Sequence, residues 1–201
     1  HRGVLFLDEL AEFQRYVLET LRQPMEDHVV TIARSHSAVK FPASFQLLAA
    51  MNPTPKGDMP VNEVGQRAMD RYLAKLSGPL IDRIDIHVEA PAVPWKQLSD
   101  TTAPRGTSSA AMRAQVLKAR ALAAKRQGEG IPNARLSGRK LDELAPLADD
   151  AKAMLGHAIT ELGLSARAYD NIRRVARTIA DLAESASLKL EHVAEAVGTL
   201  T

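Results

Sequence analysis

The sequence predicts an α/β core of short buried strands alternating with helices up to about residue 90, followed by an all-helical region. Three observations carry this expectation. Val4-Leu5-Phe6-Leu7 and Phe45–Met51 are short apolar runs that end abruptly in polar residues, as strands of a parallel sheet covered on both faces do. Segments with apolar residues at helical spacing stand between such runs. Beyond a stretch holding Pro91, Pro94 and Pro104, only helical periodicity remains. The expected organisation is a core over 1–90, a linker over 91–107 and a helical domain over 108–201.

Val4–Leu7 leads into Asp8-Glu9. Leu10 to Gln23 reads as a helix, with Leu10, Phe13, Val17 and Leu21 at helical spacing and Pro24 closing the pattern. Val29–Ala33 and Ala38–Phe41 read as two strands around the polar tip Arg34-Ser35-His36-Ser37, a hairpin. Phe45–Met51 is a second buried strand and ends in Asn52-Pro53. Thr54–Val64 is a loop, Gln66–Leu76 a helix, and Ile84–Val88 alternates like a third strand. Helices follow: a basic one with the stripe Met112, Val116, Ala119 and Ala123, then Leu141–Leu147, Ala151–Leu162, Ser165–Ala186 and Glu191–Val197. Ser165 is the expected N-cap of the fourth, and Leu164 with Tyr169 has the spacing of a hydrophobic staple.

Bulk composition narrows the function classes. The 201 residues contain no cysteine, which removes disulfides and thiolate metal sites. No apolar run reaches the length of a membrane span, and no signal peptide is visible. The six histidines form no metal-spaced cluster, and no Ser/His/Asp set suggests itself. Net charge is +2, unevenly spread: residues 1–107 carry 12 Lys+Arg against 13 Asp+Glu, and residues 108–201 carry 14 against 11. The chain opens at His1, two residues before a strand that needs neighbours on both sides. It is therefore expected to be the carboxy-terminal piece of a longer protein.

Several residues could carry chemistry. Asp8 and Glu9 lie at the carboxyl edge of the expected sheet, where open α/β folds bind ligands. One acid could hold a nucleotide-bound magnesium ion through water, and the next could take a proton from an attacking water. A solvated acidic turn is the plain alternative. Asn52 could orient that water, or simply precede Pro53 at a turn. Arg83, in Asp82-Arg83-Ile84-Asp85, is either a surface ion pair or a finger reaching a neighbouring subunit's γ-phosphate. Arg167 falls near a helix start, where the dipole disfavours a cation unless a phosphate is near. Arg34, His36 and Lys40 at the hairpin could touch a nucleic-acid backbone, as could Arg113, Lys118, Arg120, Lys125 and Arg126 on the basic helix; solvated charge serves equally for both sets. No G-x-x-x-x-G-K-[ST] loop is present.

The stretches GVLFLDEL, VLETLRQPMED, VTIARSHSAVKFPASFQLLAAMNP, RYLAKLSGPLIDRIDIHVEAP and GLSARAYDNIRRVARTIADL resemble the carboxy-terminal half of the magnesium-chelatase-like AAA+ ATPases of the ComM/YifB type. The resemblance covers nearly the whole chain. It implies a partial P-loop AAA+ core with a presensor β-hairpin, followed by an all-α lid. It further implies that Asp8 and Glu9 are the Walker B pair, Asn52 sensor 1, Arg83 the arginine finger and Arg167 sensor 2. ATP and Mg2+ are the implied cofactors, and a cytoplasmic homo-hexamer acting on DNA as a branch-migration helicase is the implied assembly. The phosphate loop of such proteins is missing from these residues, so the chain alone is expected to be inactive. The cysteines that often follow the Asn-Pro are also missing, so no zinc role carries over. A chelatase subunit driving metal insertion, and a non-enzymatic interaction module working through the basic helical lid, are the alternatives.

Overall fold

The computed structural model describes residues 1–34, 37–57, 64–99 and 106–199. It divides into two compact units, His1–Ile84 and Asp85–Thr201.

In the first unit, β1 (Val4–Leu7) pairs in parallel with β4 (Gln46–Ala49). The crossover between them holds a tight turn at Leu10–Glu12, α1 (Arg15–Thr20), α2 (Arg22–Asp27) and the antiparallel hairpin of β2 (Val29–Arg34) and β3 (Ser37–Pro42). Then come α3 (Gln66–Leu73) and α4 (Gly78–Ile81). The single helix expected over Leu10–Gln23 is thus three pieces. Phe13 is extended and breaks the run, while Pro24 sits in the first turn of α2. A first-turn proline costs little there, because its missing N–H would have had no intrahelical partner. The apolar spacing still converges: Leu10, Leu18 and Leu80 are buried together, with Leu7, Phe13, Leu21 and Ala49 packed on them.

Parallel partners share a sheet face, so Leu5, Leu7, Leu47 and Ala49 face one way and Val4, Phe6 and Leu48 the other. Only the first set is sheltered. Val4, Phe6 and Leu48 are more than half exposed, so among the described residues the sheet is covered on one face, not two. Ile84–Val88 forms no strand. Its backbone is held instead by the His87 N–H, which donates to Thr199 O at 2.7 Å.

The second unit holds α5 (Trp95–Ser99), α6 (Ser109–Gln127), α7 (Gly138–Leu144), α8 (Asp149–Glu161), α9 (Ala166–Leu182) and α10 (Leu190–Gly198). Helix α9 is central, packing on α6, α7 and α10. Its face of Ile172, Ala176 and Ala180 is fully buried against Leu141, Leu155, Leu188 and Val193. Ser165 caps it, accepting from the Ala168 N–H at 3.2 Å. Helix α8 ends on Gly163 at φ 60°, and the Leu164 N–H closes onto Ile159 O at 3.0 Å, a Schellman end that only glycine enters without strain. Helix α9 stops before the expected Ala186 because Glu184 turns left-handed (φ 55°) and Arg177 binds the Ser185 and Ala186 carbonyls instead.

A buried polar knot ties this unit together. The Asp181 carboxylate accepts from Arg126 at 2.7 and 2.9 Å, from Arg177 at 2.9 Å and from Asn133 at 2.8 Å. Arg177 is 1% and Asp181 2% exposed. Burial opposes the charge on Asp181, yet Arg126, Asn133 and Arg177 together hold its pKa below the usual value. Burial likewise pulls Arg177 down, with Asp181 working against it. Arg126, a candidate backbone contact by sequence, is therefore turned inward. Asp181→Ala leaves two guanidinium groups without their anion, so a loss of about 3–5 kcal/mol is expected in urea unfolding at neutral pH. A loss under about 1 kcal/mol would mean the knot contributes little. Because the folded pKa is depressed, the Asp181 contribution is present above the unfolded value, about 3.9, and disappears as pH falls through the lower folded value.

Candidate functional site

The parallel ladder continues past the ends of β1 and β4. The Ala50 N–H donates to Leu7 O at 2.9 Å, and the Leu10 N–H donates to Ala50 O at 2.8 Å. These two bonds set Asp8-Glu9 beside Ala50-Met51, with Asn52 next along β4's exit. Asp8 and Glu9 are both exposed, and neither meets a Lys or Arg among the described residues. Asp8 Oδ1 accepts from the Glu9 N–H at 3.0 Å, which fixes that carboxylate against the turn.

Glu9 itself is left-handed, at φ 52° and ψ 49°. For a non-glycine residue outside a routine turn this costs on the order of 1–3 kcal/mol and persists only where its surroundings impose it. Here the imposing contacts are the two ladder bonds and the Glu12 N–H, which donates to Glu9 O at 2.7 Å.

Tyr72 on α3 is a second fixing point. Its buried hydroxyl donates to Asn52 O at 2.9 Å, which holds β4's exit in place. Burial raises the Tyr72 pKa, and the Glu12 and Glu9 carboxylates raise it further, so Glu9 lies within electrostatic reach of the Asn52 anchor. The Asn52 side chain is exposed, with no hydrogen-bond partner among the described residues. Asp8, Glu9 and Asn52 thus lie exposed at the adjacent carboxyl ends of the two paired strands.

Arg83 is placed differently. It follows α4, whose N-cap Ser77 accepts from the Leu80 N–H at 3.3 Å while Leu80 enters the core. Its Nε donates to Glu26 Oε2 at 3.1 Å, its Nη2 reaches the same oxygen, and its Nη1 donates to Pro79 O. The Arg83 side chain is 13% exposed, but Glu26 is 47% exposed, so the pair opens to solvent on the glutamate side.

Arg167 belongs to the second unit. It is exposed at the second residue of α9 and acts electrostatically on Asp85. Desolvation pushes the Asp85 pKa up, while Arg174 and Arg167 pull it down.

In the hairpin, Arg34 pairs with Ser37 at the tip and Lys40 pairs with Thr31. Strand alternation puts those two pairs on opposite faces, so Arg34 and Lys40 straddle the hairpin. Arg34 shares its face with Val30, Ile32, Val39 and Phe41, each roughly 40–50% exposed. His36 lies outside the described residues.

The acid pair suits magnesium. That ion takes oxygen ligands, keeps several waters and is usually held by one or two carboxylates together with substrate phosphates. Among the described residues no group of three or more His, Asp or Glu gathers as a closed metal cage. No helix among them is long and apolar enough to cross a membrane.

Two family models match the chain, magnesium chelatase subunit ChlI over residues 1–98 and its C-terminal domain over residues 106–199. The chain belongs to the magnesium chelatase ChlI family. It is a ChlI-like AAA+ family member whose described residues hold a small parallel sheet and a helical second unit. It is 44% identical over 198 residues to competence protein ComM of Haemophilus influenzae, covering 98% of this chain and 38% of that protein. It is 40% identical over 200 residues to YifB of Escherichia coli, covering 98% of this chain and 39% of that protein. It is 38% identical over 201 residues to Rv2897c of Mycobacterium tuberculosis, with 98% and 39% covered. The chain therefore spans well under half the length of these relatives.

Sequence reasoning did not single out Tyr72 or Glu26. A buried tyrosine hydroxyl needs a partner, so Tyr72 in an amphipathic helix was a readable signal. Nothing in Met25-Glu26-Asp27 points to Arg83, 57 residues away.

Proposed function

We propose that this chain is the part of an ATP-driven, DNA-acting AAA+ motor that carries the magnesium-side acids, the polar sensor, the arginine finger and the helical lid. The observation that carries the reading is that Asp8, Glu9 and Asn52 lie exposed at adjacent ends of two parallel strands, with no cationic partner for the two acids among the described residues. Two adjacent carboxylates left without a counter-charge are suited to receive one from a ligand.

Bound magnesium would neutralise phosphate charge. Asp8 would hold it through water, Glu9 would accept a proton from the attacking water, and Asn52 would orient that water. Arg83 would exchange Glu26 for the γ-phosphate of a neighbouring subunit, and Arg167 would contact the phosphates from the lid. The ring would be a homo-hexamer, with Arg34, His36 and Lys40 of the hairpin meeting the DNA backbone. The resemblance to ComM supports DNA as the substrate over a porphyrin, and Arg34 and Lys40 on the hairpin suit a polyanion.

The test is magnesium-dependent ATP hydrolysis by the intact protein, with and without branched DNA. Turnover that rises with DNA is expected. Turnover indifferent to DNA but raised by a porphyrin and its chelatase partners would move the reading to metal insertion.

A further inference from the structure

We infer that the outward face of α6 is a second, sequence-independent contact for duplex DNA, made to both backbones from within the major groove. The inference rests on the DNA reading above and assigns the lid its own share of the polyanion.

Helix α6 contains no acidic residue over its length, Ser109–Gln127. Its inner face is taken towards the C-terminal end, where Ala119 is buried and Arg126 is locked to Asp181 and Asn133, while Met112 and Val116 on that side are 52% and 42% exposed. The remaining cations fall in two rows. Arg113 and Arg120 are seven residues apart on one side, and Lys118 and Lys125 are seven apart on the other. Each pair is separated by about 10 Å along the axis, at about 1.5 Å per residue. Between the rows runs a low strip of Ala114, Leu117 and Ala121. All seven residues are exposed.

Arg113, Arg120 and Lys125 have no acidic partner among the described residues. Lys118 meets Glu184 at 3.0 Å, but both side chains are more than half exposed, and such pairs exchange readily.

The shape selects the partner. A helix with side chains is about 10–12 Å across, and the major groove of B-form DNA is about 12 Å wide. The uncharged floor, two alanines around Leu117, lets the helix enter the groove, and cations on both flanks then meet a phosphate strand on each side. No aromatic lies on α6 to stack on unpaired bases, which disfavours a single strand. The floor offers no amide or guanidinium to a base edge, so binding carries no sequence preference.

The test measures anisotropy of a labelled mixed-sequence duplex, and of its single strand, with the intact protein across a KCl series. One variant carries Arg113→Gln, Arg120→Gln and Lys125→Gln, and a second carries Arg34→Gln and Lys40→Gln. The α6 variant is expected to bind duplex at least tenfold more weakly at low salt. Its log–log salt slope should fall by about 2–3, near 0.9 per lost phosphate contact, with DNA-free ATP turnover unchanged. Arg113→Gln alone, a single exposed change, should lower the slope by about 1 if the triple variant folds poorly. An α6 variant that matches the parent while the hairpin variant loses binding overturns this inference and leaves the motor reading standing. A parent that binds no duplex overturns both. Equal losses on duplex and on poly-glutamate would assign the face to an acidic protein instead.

Discussion

In the intact protein, Glu9→Gln is expected to lower ATP turnover by about 10²–10⁴-fold while leaving nucleotide affinity near that of the parent. The exchange keeps the shape of the side chain and removes only its capacity to take a proton. Glu9 is exposed beside Asp8 and pairs with no cation among the described residues, so the loss is not the breaking of an ion pair there. The left-handed backbone at Glu9 supplies an internal control. Glycine enters that conformation without strain, so Glu9→Gly should stabilise the fold by about 1 kcal/mol while abolishing turnover. Stability and activity moving in opposite directions is what a strained functional residue gives. A Gln variant with parental turnover would remove Glu9 from the chemistry.

Arg83→Ala should cost about 10³–10⁵-fold in turnover, the range of an arginine finger. Against this stands the contact with Glu26, which occupies Nε and Nη2. Magnitudes decide between the roles. A pair open to solvent on one side contributes about 0.2–1 kcal/mol, whereas a finger supplies on the order of 4–7 kcal/mol to a transition state. Exchanging Glu26 for a γ-phosphate presented by a neighbouring subunit is therefore favourable in the transition state. The decisive measurement mixes Arg83→Ala subunits with Glu9→Gln subunits, each inactive by itself. A finger acting across an interface restores turnover at interfaces where intact Arg83 meets intact Glu9. If Arg83 merely braces α2 against α4, Glu26→Ala should be as damaging as Arg83→Ala and mixing should rescue nothing.

Much of the site was legible because its residues end local patterns. Four apolar residues running into Asp8-Glu9, and a second run closing on Asn52, place three polar groups at strand ends without knowledge of the fold. The parallel pairing of Val4–Leu7 with Gln46–Ala49 then brings those ends together. Helix α9 was equally plain, since its N-cap and apolar stripe are written within a few turns. The errors share a different cause. The Leu10–Gln23 segment has helical spacing, but Phe13 turns extended to feed the core. The Ile84–Val88 segment alternates like a strand, but its His87 N–H bonds to Thr199 instead of to a sheet.

By itself the sequence determined that an α/β region precedes a helical one, that the acids and the amide stand at strand ends, and that α6 is basic and acid-free. These depend on periodicity and on neighbours along the chain. Only the tertiary structure decided which cations remain available. Arg126 went to Asp181, Arg83 to Glu26, and Arg113, Arg120 and Lys125 stayed in solvent. The physical reason is that a charge finds its partner through space, across 55 residues for Arg126 and 57 for Arg83, and no local pattern encodes that distance.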